Sequence, residues 1–133
     1  MDSRKDERWR QRFENFEKSY QVLEHYGQQS IHTELERAGL IQLFEVTFEL
    51  AWKTLKDYLE SEGYLVKSPR ETLKVAFEME VIEEGKIWLD ALSSRNLAKH
   101  TYNEILSAQL IGEIKQLYLP CLGKLYEKLA KER

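Results

Sequence analysis

Between Ser93 and Glu104 the chain reads Ser-Ser-Arg-Asn-Leu-Ala-Lys-His-Thr-Tyr-Asn-Glu, a polar and titratable run set between two stretches of apolar periodicity. Arg95 offers a planar fork of N–H donors suited to phosphate. His100 is the side-chain type whose unperturbed pKa, near ~6.5, fits proton transfer at neutral pH. Together the two could cleave a phosphodiester. On a straight helix they would lie ~140° apart, because five residues advance ~500°. A common target therefore requires a bend between them or a second subunit. The ordinary alternative is that Asn103 or Thr101 caps a helix, His100 satisfies a carbonyl and Arg95 makes a surface ion pair.

A second constellation is Glu45, Glu49 and Lys53, which recur every four residues and so share one stripe of a helix. They form either a solvated ion-pair ladder or a carboxylate support for Arg95, and Glu49 is the candidate for the second role. Other chemistries find no residues. His25, His32 and His100 are far apart in sequence, and Cys121 is the single cysteine, so no metal site and no cofactor are expected. There is no glycine-rich phosphate loop, no Gly-x-Ser-x-Gly elbow, and no Gly-Ser followed by an Asp-x-Asp pair. The chain is not itself a nucleotidyl-transferring subunit. Trp52, Trp88 and Cys121 read as core or interface residues. Lys115, Lys124, Lys128, Lys131 and Arg133 give the C-terminal stretch a basic bias, which is either a wet face or a surface for RNA or an acidic partner.

The elements that must position these residues are helices. Trp9, Phe13, Phe16, Tyr20 and Leu23 form one stripe of a first helix ending near Gly27. A second helix spans about Thr33 to Glu62, with Leu40, Phe44, Phe48, Ala51, Leu55 and Tyr58 on one stripe, widened by Leu43, Val46, Leu50 and Leu59. Ser68-Pro69-Arg70-Glu71 opens a third helix carrying Leu73, Ala76, Phe77 and Val81, with Gly85 as its expected C-terminal cap. A short helix holds Ile87, Trp88, Ala91 and Leu92. A last helix from about Tyr102 carries Leu106, Leu110, Ile114, Leu117, Cys121, Leu125 and Leu129, and Pro120 should kink it near Gln116 to Leu119. The fold class is an all-α, up-and-down bundle of four or five helices in a single domain over residues 1–133.

Composition agrees. With 133 residues, 42% hydrophobic and 32% charged, the chain is one folded domain rather than two or a disordered segment. Two prolines and six glycines are too few for the tight turns of a sandwich or barrel. No apolar run approaches the ~20 residues of a membrane span, and mean hydropathy is −0.58. The first residues lack the apolar stretch of a signal peptide, so a soluble, cytoplasmic location is expected. A net charge of −3 excludes nucleic-acid binding by bulk electrostatics and leaves only a local contact.

Arg95-Asn96, four residues, then His100-Thr101-Tyr102 resembles the Arg-x4-His-x-Tyr motif of HEPN-domain proteins. In particular it resembles the branch known as nucleotidyltransferase substrate-binding proteins, encoded beside a minimal nucleotidyltransferase. Glu36 to Gln42 running into Phe44 to Lys53, and Ser68-Pro69-Arg70, resemble that branch too, so the similarity covers about Leu35 to Leu106. The resemblance implies a helical bundle that forms a homodimer, with the motifs of both subunits facing one cleft. It also implies a nucleotidyltransferase partner and RNA or a nucleotide as ligand. Two functions follow from it, the first the primary expectation and the second the alternative. In one, Arg95 and His100 cut RNA without metal, Asn96 lies in the substrate-binding motif, and the partner silences the site by attaching AMP to Tyr102, as in a toxin–antitoxin pair. In the other, the same cleft binds a nucleotide or substrate without cutting and presents it to the transferase.

Overall fold

In a computed structural model of the chain, residues 3–97 and 103–133 are described, apart from the side chains of 96 and 97. The described residues are helical, with no strand among them. Helix α1 spans Ser3–Gly27, α2 Glu34–Ser61, α3 Pro69–Glu78, α4 Gly85–Leu97, α5 Glu104–Glu113 and α6 Leu119–Glu132. A π-helical turn over Ile114–Tyr118 joins the last two without a break. Five helical rods result, the fifth long and kinked.

The core is where the apolar periodicity puts it. Trp9, Phe13, Phe16, Tyr20 and Leu23 of α1 all face inward, against Phe44, Phe48, Ala51 and Leu55 of α2. Edge and stacked ring contacts run Trp9–Tyr58, Phe13–Tyr126 and Phe44–Tyr118, with centroids 5.0, 5.8 and 5.3 Å apart. Such pairs stabilise beyond the area they bury. At the polar margin Arg12 Nε donates to the buried Asp57 carboxylate at 2.5 Å, clasping α1 to α2. A buried carboxylate needs such a partner.

Local rules set the helix ends. Thr33 accepts from the Glu36 N–H while the Glu36 carboxylate accepts from the Thr33 N–H, a reciprocal capping box. Ser68 accepts from the Glu71 N–H at 3.1 Å, with Pro69 at the first helical position. Asn103 accepts from the Leu106 N–H at 3.0 Å, so the capping role weighed for it is the one it performs.

Two expectations about ends are corrected. Helix α3 stops at Glu78, seven residues before Gly85, and Gly85 opens α4 instead. The reversal is made by Glu80 at φ 61°, with Val81 N–H donating to Ala76 O at 2.8 Å. Glu80 thus occupies the left-handed position that glycine usually takes. Phe77, placed on the apolar stripe, is half exposed in consequence. The second correction lies in the last rod. Leu119 N–H donates to Ile114 O, five residues back, so one extra residue enters the turn just before Pro120. Pro120 has no N–H to give to Gln116, and the wider turn relieves the clash its ring would cause. The inserted residue rotates the stripe: Tyr118 is buried and Leu117 is 40% exposed.

Candidate functional site

The last turn of α4 brings Arg95 against the middle of α2. Arg95 Nη1 donates to Glu49 Oε2 in a very short ion pair, and Lys53 Nζ lies 3.4 Å from Glu49 Oε1. Glu49 therefore bridges the cation of its own helix, one turn on, and the cation of α4. All three are partly exposed, with Arg95 the most covered at 24%. A carboxylate that holds a guanidinium fixes its plane and direction.

Electrostatics follow from this packing. Burial pushes the Glu49 carboxyl up. The neighbouring Trp52 indole and the charges of Arg95 and Lys53 outweigh it, so Glu49 stays below the usual carboxylate range. The Trp52 N–H lies near enough to favour that anion, yet it makes no hydrogen bond within ordinary limits. One turn earlier, burial pushes Glu45 above the usual range, against the opposing pull of Arg95.

A network missed in the sequence sits directly beside Arg95. Tyr118, carried inward by the π-helical turn, donates to Glu113 at 2.8 Å and shares a 2.8 Å hydrogen bond with Ser94. Its ring stacks on Phe44, and burial raises its hydroxyl to about 12. The last turn of α4 is thereby tied to the kinked rod one residue before Arg95. The only signal in the sequence is Pro120, which marks a disturbance but not the residue it turns inward.

The other candidates divide plainly. His100 and Tyr102 lie outside the described residues, as does the side chain of Asn96. Cys121 is buried, its thiol 3.7 Å from Glu84, and burial raises it to about 11. Trp52 and Trp88 are buried. His25 and His32 are exposed. The basic residues of the C-terminal stretch are largely engaged: Lys115 donates to Gly27 O at 2.9 Å, Lys124 to Glu84 at 2.8 Å and Lys128 to Glu80 O at 2.9 Å, while Arg133 pairs with Glu17 at 3.3 Å. These four tie the last rod to other elements, and Lys131 is exposed. No helix among the described residues is long and apolar enough to cross a membrane.

Residues 11–131 match the family profile described as nucleotidyltransferase substrate binding protein like. The chain belongs to that family. Among solved structures, this family member is similar to a protein of Thermus thermophilus with 32% identity and a TM-score of 0.75; the match covers 88% of this chain and 97% of that one. It shares its fold with a protein of Haemophilus influenzae at 22% identity and a TM-score of 0.78, covering 89% and 98% of the two chains. That protein is described as having the fold of a substrate binding domain of a nucleotidyltransferase. Among curated proteins none matches significantly.

Proposed function

We propose that the chain is a non-catalytic binding subunit that holds a nucleotide or another phosphate-bearing substrate at Arg95 for a separate nucleotidyltransferase. The observation that carries this reading is the Glu49-held Arg95, placed at the rim of α4 and braced through Ser94 by Tyr118. Fixing a guanidinium before the ligand arrives lowers the ordering cost of binding. The family and the description of the Haemophilus protein support a nucleotidyltransferase as companion.

The binding unit is proposed to be a homodimer, and the structure changes the reason for expecting one. The aromatic stripe of α1 is used up inside the protomer. Part of the exposed apolar surface lies on α5, where Ile105 is 71% and Leu106 50% exposed, and on Leu35 and Val46 of α2. Arg37 and Glu104, 3.8 Å apart, join the N-terminal ends of these two helices. Large apolar side chains that the protomer leaves exposed side by side are the kind of surface a second copy covers.

The ribonuclease reading keeps one specific support, the Arg95-x4-His100 spacing of the motif. Under it His100 moves protons and AMP on Tyr102 repels the substrate backbone. Incubating the purified protein with total RNA in chelator separates the two. The binding reading expects RNA of unchanged length. Shortened RNA that persists in EDTA and disappears with His100→Ala overturns it in favour of cleavage.

A further inference from the structure

A groove made by other elements runs between the α3–α4 reversal and α6. Its open part, about 640 Å³, is floored by Phe77 and Ile82 and rimmed by Glu78, Glu80, Glu83 and Lys128. It adjoins a smaller recess of about 80 Å³ between Val81, Trp88, Cys121 and Leu125. The two share Ile82, Glu83 and Lys128, so the groove runs from an exposed aromatic to a recess whose inner wall is Val81, Trp88 and Leu125 and whose edge carries the Glu84–Lys124 pair.

The charges of this channel are unbalanced. Lys124 is taken by Glu84 at 2.8 Å, and Lys128 is turned to the Glu80 carbonyl at 2.9 Å. Among the described residues Glu78, Glu80 and Glu83 take part in none of the ion pairs within 4 Å. Three exposed carboxylates thus face solvent around a half-exposed Phe77, with Met79 exposed on the same reversal. Three glutamates against the single Lys128 make the rim acidic on balance, and an acidic rim around an apolar floor favours an occupant of the opposite sign with an apolar anchor.

We infer that this groove docks an amphipathic segment of the companion nucleotidyltransferase, one that places a large apolar side chain in the recess and Lys or Arg side chains on the glutamate rim. The inference rests on the reading of the chain as a transferase companion. Arg95 and the exposed side chains of α5 line neither part of the groove, so the docked transferase, the ligand and a second copy do not compete for one surface. The rim carboxylates steer association, and the filled recess slows dissociation.

The test measures the affinity of the purified nucleotidyltransferase encoded beside this chain for three forms: wild type, Glu78→Lys with Glu83→Lys, and Phe77→Ala. All three sites are exposed, so the fold is expected to persist, and circular dichroism checks it. The charge-reversed form should bind at least about tenfold more weakly, and Phe77→Ala about tenfold more weakly. Raising salt from about 0.1 to 0.5 M should weaken the wild-type complex and leave the charge-reversed one little changed. Groove variants that bind as tightly as wild type overturn the docking site and leave the companion reading intact. A transferase that does not bind wild type at all overturns both.

Discussion

At the proposed site Glu49 both orients Arg95 and competes with an incoming phosphate for it, and this ion pair depends on the ionisation of Glu49. The Glu49 carboxyl sits below the ordinary glutamate value of 4.5. A depressed carboxylate contributes stability that is complete above its unfolded value and lost as pH falls through the folded one. The ion pair should therefore persist through neutral pH and dissolve only below about pH 4.5, which a thermal-unfolding series from pH 7 to 3 will show as a fall confined to the acid end. Neutralising the carboxylate separates its two effects. Glu49→Gln keeps an acceptor for Arg95 but removes the anion with which a phosphate competes, so nucleotide affinity should rise by up to about fivefold, the ceiling for an exposed pair worth ~1 kcal/mol. Unchanged affinity would mean that the ligand does not meet Arg95. A second residue-scale expectation concerns Glu80, a side chain in left-handed backbone. Glu80→Gly should raise stability by about 0.5–1 kcal/mol, read as a higher midpoint of urea unfolding, because glycine takes this conformation without the steric cost.

Among the elements, the kinked last rod does more than close the bundle. Its π-helical turn aims Tyr118 at Ser94 and so holds the end of α4 that carries Arg95. Tyr118→Phe keeps the ring stacked on Phe44 and deletes the hydroxyl, which should cost about 1 kcal/mol of stability and weaken nucleotide binding. Loss of stability with binding untouched would confine Tyr118 to the core. This element also marks where the sequence stops being readable. The stripes of α1 and α2, the proline start of α3 and the kink near Pro120 are all legible, because each follows from spacing or from one residue with fixed geometry. The extra residue of the π turn is not, since periodicity of 3.6 assigns Leu117 inward and only the backbone bond from Leu119 to Ile114 reverses it. Likewise Gly85 has the residue type of a cap, whereas the reversal is held by a Schellman-type bond to Ala76 that glutamate tolerates at Glu80. At the site, the four-residue spacing of Glu45, Glu49 and Lys53 already places a carboxylate stripe on α2. Contact with Arg95, 46 residues on, depends on how α4 packs and is visible only in the fold.

Three surfaces of the molecule are proposed for three occupants: a ligand at Arg95, a second copy on α5 and α2, and a transferase segment in the glutamate-rimmed groove. Light scattering should report about twice the 15.8 kDa of the chain. Ile105→Glu, which sets a charge on the apolar face of α5, should shift it to the monomer. A wild-type monomer at micromolar concentration would remove the second copy from the account. The proposal that Arg95 binds a phosphate-bearing ligand is put to the test by calorimetric titration of ATP into wild type and Arg95→Ala at neutral pH and moderate salt. Wild type should bind saturably and the variant at least about tenfold more weakly, the least expected when a charge-assisted hydrogen bond worth ~1.5–3 kcal/mol is removed. Equal affinity for the two proteins, or no binding to either, would contradict it.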